Sequence, residues 1–142
     1  MIICDHNEYK AAAEFYAKKL SIPDDTIIAI GLYETLPISG YCEFHEEEVL
    51  PYFLIGLDIG DDLCDDPLAV LAHEMVHVQQ YVTGDLVDHN SYCMWKGVRY
   101  EDAADDSEEY FFSPWEVMAY GMQVGLTRLY YRSLEECPTQ MN

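Results

Sequence analysis

The stretch DDPLAVLAHEMVHVQQYVTG, residues 65–84, decides how the central part of this chain folds. Asp66 is a favourable N-cap, and Pro67 suits the first position of a helix, where its missing N–H is not needed. Gly84 is a favourable residue just after a helix ends. The stretch therefore predicts a helix over residues 67–83, with apolar residues repeating at helical spacing: Leu68, Leu71, Ala72, Met75 and Val78.

Near the middle of this helix the sequence reads His73-Glu74-Met75-Val76-His77. Residues four apart on a helix project from the same face, so His73 and His77 can bind one metal ion together. Glu74 lies beside them and can take a proton from water activated by that metal. The pattern predicts a catalytic zinc site. The alternative is a surface helix with two incidental histidines.

A catalytic zinc ion usually has three protein ligands and one open position. The common extension of the motif would place a glycine and a third histidine where Gln80 and Thr83 stand, so it does not apply. His89, in a predicted loop, and Glu116, at the start of the last helix, are the other candidates. Ser113 and Glu116 also match a capping box, in which Glu116 would bond to the backbone of Ser113. We favour Glu116 as the ligand because two histidines need a further one, with His89 next.

The order of the predicted helices and strands indicates an α+β fold in a single domain that spans residues 1–142. The predicted elements before the motif are a helix and three strands, at residues 8–20, 26–33, 41–45 and 52–59. After the motif, residues 92–100 predict a hairpin that turns at Lys96 and Gly97. A last helix starts at Ser113-Pro114 and ends near Glu136, with a predicted buried stripe: Trp115, Met118, Met122, Leu126 and Leu129.

The chain is strongly acidic, with 27 Asp plus Glu against 7 Lys plus Arg and a formal net charge of −20. Nucleic acids and anionic membranes are therefore poor partners, because both need a basic protein face. No apolar run approaches the roughly 18 residues that span a bilayer. The acidic side chains form a solvated surface that would attract basic substrates. The aspartates within residues 61–66 are a weaker candidate for calcium, because they lack the EF-hand spacing.

Five cysteines without a C-x-x-C pair predict free thiols in a reducing compartment. The first residues lack the basic-then-apolar layout of a secretory signal. The expected location is therefore the cytoplasm.

Two segments of the chain resemble the gluzincin branch of the zincin-like metallopeptidases: Ala72 to His77 and Pro114 to Ala119. The likeness is closest to small single-domain forms, including uncharacterised ones in bacteriophage genomes. These forms combine an extended H-E-x-x-H-x-x-Q-Y motif, a Trp-x-Gly segment and a later Pro-Trp-Glu segment. In this chain the matching stretches are His77-Val78-Gln79-Gln80-Tyr81, Trp95-Lys96-Gly97 and Pro114-Trp115-Glu116. The resemblance implies a zincin-like fold and a bound Zn²⁺, and it covers residues 26–130.

The resemblance also implies roles for individual residues. His73, His77 and Glu116 would bind zinc, and Glu74 would be the general base. Larger gluzincins often place an aspartate one turn after the ligand glutamate to orient a histidine, but here that position is Tyr120. The residue that would stabilise the oxyanion is left open among four candidates: Tyr92, Tyr100, Tyr110 and His89.

We therefore expect a zinc-dependent metallopeptidase that acts on peptide or protein substrates. The third predicted strand, or the one before it, would present an edge to which an extended peptide adds. The alternative is a non-catalytic protein of the same fold, of a phage type, that keeps its zinc and binds a partner through its acidic or aromatic surface. The oligomeric state and the substrate do not follow from the sequence.

Overall fold

The structure is a computed structural model that describes residues 1–46, 49–60, 65–104 and 107–136. Helices and strands alternate irregularly along these residues, as an α+β fold requires. Their order is β1 (Ile2–Ile3), α1 (Asn7–Lys19), β2 (Ile27–Tyr33), β3 (Gly40–His45), β4 (Tyr52–Asp58), α2 (Pro67–Thr83), β5 (Leu86–Asp88), β6 (Tyr92–Trp95), β7 (Val98–Glu101), α3 (Glu108–Phe111) and α4 (Pro114–Glu135).

The larger sheet has four strands in the order β1-β2-β4-β3. β2 runs parallel to β1 and β4, and β3 pairs with β4 in the antiparallel direction. β4 is thus an inner strand, which fits its apolar residues on both faces. The three strands predicted from the sequence are confirmed, with the two-residue β1 as a fourth. β3 lies at the edge of the sheet.

α2 begins and ends where the sequence predicts. The Asp66 carboxylate accepts a hydrogen bond of 2.9 Å from the backbone N–H of Leu68, and Gly84 has a φ of 80°. The helix packs between β3 and β4 on one side and α1 and α4 on the other. It is therefore buried around most of its circumference, including the whole predicted stripe. The motif lies in the interior of the fold, not on a surface helix.

α4 packs along α2 and places its first turn beside the motif. Leu126 is buried and Trp115, Met118 and Met122 are partly buried, as predicted. The prediction for Leu129 was wrong, because its side chain is 38% exposed. Tyr130 is buried in its place and packs edge-on against Phe15 and Tyr16 of α1. The later turns of α4 also contact α1, so their buried face is rotated by one residue.

The predicted hairpin is confirmed as β6 and β7, which form a second antiparallel sheet with β5. Lys96 and Gly97 make the turn with φ angles of 49° and 83°. The rings of Trp95 and Tyr100 lie 6.2 Å and 5.4 Å from that of Trp115. This small sheet therefore covers the first turn of α4.

The sequence also predicts that no segment spans a membrane and that the cysteines are free thiols. In the described ranges, no helix is long and apolar enough to cross a membrane. Cys4, Cys42 and Cys93 are free thiols, as predicted. Cys64, Cys137 and the aspartates at positions 61 and 62 lie outside the described residues.

Candidate metal centre

The side chains of His73, His77 and Glu116 meet in the interior between α2 and α4. Nε2 of His73 lies 3.1 Å from Oε1 of Glu116, and Nε2 of His77 lies 3.2 Å from Oε2 of the same carboxylate. The two Nε2 atoms are 3.2 Å apart. One ligand atom from each residue fits within 4.8 Å of the others, and all three residues are buried. The sequence placed these three together, and the structure does the same.

Glu116 does not act as the partner of a capping box. Its carboxylate turns to the histidines, and the backbone N–H of Ser113 donates to the carbonyl of Tyr110 at 3.1 Å instead. The Ser113 hydroxyl donates to the carbonyl of Glu109 at 2.9 Å. The capping alternative is therefore wrong in this fold, because α3 immediately before α4 supplies the acceptors that Ser113 uses.

The Nδ1 nitrogen of each histidine contacts the side chain of a glutamine. Nδ1 of His77 lies 2.8 Å from Oε1 of Gln80, and Nδ1 of His73 lies 2.8 Å from Oε1 of Gln123. The Gln80 amide nitrogen in turn donates to the carbonyl of Trp115 at 3.0 Å. Amide oxygens only accept, so both Nδ1 atoms carry the proton and the Nε2 lone pairs point inward. The sequence analysis assigned no such role to either glutamine. The i,i+3 spacing of His77 and Gln80 on one helix could have indicated the first contact, whereas Gln123 follows no established spacing from His73.

The electrostatics of the centre require a positive charge at its middle. The Nε2 lone pairs and both carboxylate oxygens converge on one space, and only extra protons or a cation can reconcile them. Burial raises the pKa of Glu116, but hydrogen bonds that His73 and His77 donate when their imidazoles are protonated outweigh this and lower it to about 2. Burial lowers the pKa of His77, but the bond to Glu116 and the charge of Glu74 raise it above its ordinary value. Two imidazoles and a carboxylate with inward lone pairs fit a metal ion such as zinc.

Glu74 lies next to this group without belonging to it. Its side chain is buried, at 7% exposure. Burial raises its pKa, and the nearby His77 and His73 offset part of that effect. In the part of the chain that the structure describes, the metal-binding group comprises His73, His77 and Glu116 only. Glu74 is therefore a buried carboxyl group beside the centre with a raised pKa.

Among the four candidates for the oxyanion donor, Tyr110 alone has a pKa that is raised, beyond the effect of burial, by a residue of the centre in the described structure, through the charge of the Glu116 carboxylate. Burial and this carboxylate raise the pKa of Tyr110 well above its ordinary value, so the hydroxyl stays protonated. Tyr120 packs its ring edge-on against His73, with centroids 4.4 Å apart. An aromatic ring, and not a carboxylate, therefore contacts His73 from the position one turn after Glu116.

The other candidates lie elsewhere. Tyr100 packs against Trp115. Tyr92 lies under the Arg99 guanidinium, which is 3.9 Å from the ring centroid. His89 is exposed and stacks on Tyr92 at 4.7 Å. The expectation that His89 is the next candidate for the third ligand is therefore not supported by its position.

Comparison of the chain with protein-family models, with curated protein sequences and with solved structures finds no match.

Proposed function

We propose that this chain is a zinc-dependent metallopeptidase of the gluzincin type. The observation that carries the proposal is the buried group of His73, His77 and Glu116 with Glu74 beside it. A purely structural metal site has no use for an additional carboxylate that makes no bond to the metal. When bound, zinc polarises the scissile carbonyl and lowers the pKa of water towards about 7.

Glu74 is the general base in this proposal. It accepts a proton from the attacking water and later donates it to the leaving amine. Its buried position supports both steps, because burial raises the pKa of the carboxyl group towards neutral pH. An ordinary exposed glutamate has a lower pKa and is therefore a weaker base, so it would accept the proton from water less readily.

Tyr110 is the donor that we assign to the developing oxyanion. Burial raises the pKa of Tyr110 and the charge of the Glu116 carboxylate raises it further, which supports a position of this hydroxyl near the centre. A neutral hydroxyl aimed at developing negative charge stabilises a transition state without reorganisation. The raised pKa of Tyr110 keeps it in the donating form.

β3 is the strand to which a peptide substrate would add. It is the edge strand next to β4, and it packs against α2. Cys42 on β3 is partly buried, and the charge of Glu74 adds to the effect of burial in raising the pKa of its thiol. An extended peptide bonded to this edge would thus pass the general base. Glu43, exposed on β3, together with the net charge of −20, favours basic substrates.

The test combines metal analysis with a peptide-library digest of purified protein. We expect one zinc per chain and cleavage of peptides, with Glu74→Gln retaining the zinc and losing the cleavage. Cleavage that persists in Glu74→Gln would contradict the role of Glu74. Iron(II) in place of zinc would contradict the proposal, because two histidines and one carboxylate also bind that ion in oxygenases. Stoichiometric zinc without cleavage of any peptide would favour the non-catalytic binding protein.

A further inference from the structure

We propose that Gln80 is a positioning residue of the metal centre: it keeps Nε2 of His77 free of a proton and sets the position of Glu116 through the Trp115 carbonyl. The inference rests on the proposed metal centre and goes beyond it, because it assigns a role to a residue outside the ligand group. Gln80 is 1% exposed, so its two hydrogen bonds have no competition from solvent.

The first step concerns the orientation of the amide. Its nitrogen donates to the Trp115 carbonyl at 3.0 Å, and a carbonyl can only accept. The amide therefore cannot rotate by half a turn without setting two oxygens against each other. This leaves Oε1 facing Nδ1 of His77 at 2.8 Å, where it can only accept a proton. The bond to Trp115 thus dictates which nitrogen of His77 carries the proton.

The second step concerns the competing acceptor. Oε2 of Glu116 lies 3.2 Å from Nε2 of His77. Without Gln80, a neutral His77 would gain most by placing its proton on Nε2 and donating it to this carboxylate, because hydrogen bonds to charged acceptors are the stronger ones. That tautomer occupies the nitrogen that must bind the metal. By accepting a hydrogen bond from Nδ1 of His77, Gln80 favours the other tautomer, in which Nε2 carries no proton.

The third step concerns Glu116 itself. Trp115 immediately precedes the ligand, so the bond from Gln80 ties the first turn of α4 to α2 beside His77. A carboxylate at position 80 could accept from His77 but could not, when ionised, donate to the Trp115 carbonyl. The buried position therefore needs an amide, which offers a donor and an acceptor at once.

Gln123 holds His73 by the same kind of bond, at 2.8 Å, but from a half-buried position. In the described residues its side chain has no bond to a backbone carbonyl of the kind that Gln80 makes. We therefore expect Gln123 to constrain its histidine less than Gln80 does.

The experiment measures zinc affinity by competition with a chelator, together with the tautomer of His77 in the metal-free protein. The variants are Gln80→Met and Gln123→Met, and the control is Gln79→Met. Gln79 is the neighbouring residue on α2 and also donates to a backbone carbonyl, that of Leu20, at 2.9 Å. Within the described residues it makes no hydrogen bond to the centre, so it reports the cost of losing an amide bond from this helix.

We expect wild type and Gln79→Met to bind zinc alike. Gln80→Met should bind about ten-fold to a hundred-fold more weakly, as losses of such outer hydrogen bonds do, and Gln123→Met should lie in between. Long-range proton–nitrogen spectra in alkaline buffer should show His77 protonated at Nδ1 in wild type and at Nε2 in Gln80→Met. A merely structural role would leave that tautomer unchanged.

Three outcomes would overturn the inference. One is zinc binding by Gln80→Met that equals that of Gln79→Met. Another is a His77 tautomer that is the same in wild type and Gln80→Met. The third is a His77 that is protonated at Nε2 in the wild-type protein. The spectra of the wild type show this even if Gln80→Met fails to fold. Failure of wild type to bind any metal is a separate result, which overturns the proposed function as well.

Discussion

His73 and Glu116 are 43 positions apart in the sequence, yet Nε2 of His73 lies 3.1 Å from Oε1 of Glu116. The contact depends on the packing of α4 along α2. Because His73, His77 and Glu116 are buried, at 5% to 8% exposure, their polar atoms must be satisfied by each other or by a bound cation.

The first prediction separates the ligand role of Glu116 from a capping role. Glu116→Ala should weaken zinc affinity severely, because two histidines would remain as the protein ligands. Ser113→Ala is the matched control: it loses only the bond from its hydroxyl to the Glu109 carbonyl and should bind zinc as wild type does. Chelator competition measures both variants. Equal affinities would contradict the assignment of Glu116.

The second prediction concerns metal stoichiometry. Wild type should carry one zinc per chain, and either His73→Ala or His77→Ala should reduce this below stoichiometric occupancy, because the site loses an inward lone pair. Elemental analysis after gel filtration checks the ratio of zinc to protein. A double variant that retained a full complement would mean that the metal binds elsewhere in the chain.

The third prediction concerns Tyr110. Tyr110→Phe should lower kcat by about a hundred-fold, the usual loss for one oxyanion donor, while KM and zinc affinity change little. Tyr100→Phe is the control, because Tyr100 packs against Trp115 and makes no hydrogen bond to Glu116 in the described part of the chain. Steady-state kinetics on one cleaved peptide distinguish the two. If Tyr110→Phe lost zinc instead of rate, the hydroxyl would serve to hold Glu116.

The fourth prediction concerns alkaline stability. The Tyr131 hydroxyl donates to Oδ2 of Asp66 at 2.6 Å, linking α4 to the N-cap of α2, and this bond raises the pKa of Tyr131 to about 12. The folded chain thus favours the protonated tyrosine. The bond between Tyr131 and Asp66 therefore contributes fully to the free energy of unfolding below the ordinary tyrosine pKa of 10.0. This contribution is lost as the pH rises towards about 12.

Tyr131→Phe should accordingly lower the free energy of unfolding by about 0.5–1 kcal/mol at neutral pH, a modest value because the pair is exposed. The difference from wild type should shrink as the pH passes 10.0. Urea titrations at a series of pH values measure it. A difference that stays constant across the alkaline range would show that the lost bond is not the cause.

The sequence predicted the elements whose signals are local. The ends of α2 follow from Asp66, Pro67 and Gly84, because an N-cap, a first-turn proline and a left-handed C-terminal residue act within a few positions of themselves. The turn of the β6–β7 hairpin follows from Lys96 and Gly97 for the same reason. The pairing of His73 with His77 follows from the helical repeat alone.

Leu129 shows where such reasoning ends. Helical periodicity predicts a straight buried stripe, but α4 packs on α2 with its first half and also on α1 with its second half. Tyr130 is buried instead, because it meets Phe15 and Tyr16. Which face of a helix is buried depends on where its neighbours lie, and the chain's own period does not contain that information.

By itself, then, the sequence determined α2, the pairing of its two histidines on one face and the adjacent Glu74, since all of these depend on contacts within about two helical turns. Only the tertiary structure decided that Glu116 faces the histidines and not its own helix terminus, that β3 is the edge strand, that Gln80 bonds the Trp115 carbonyl and that Gln123 contacts the imidazole of His73. Each of these depends on how separate elements pack, and in each case burial excludes the water that would otherwise satisfy the same polar atoms.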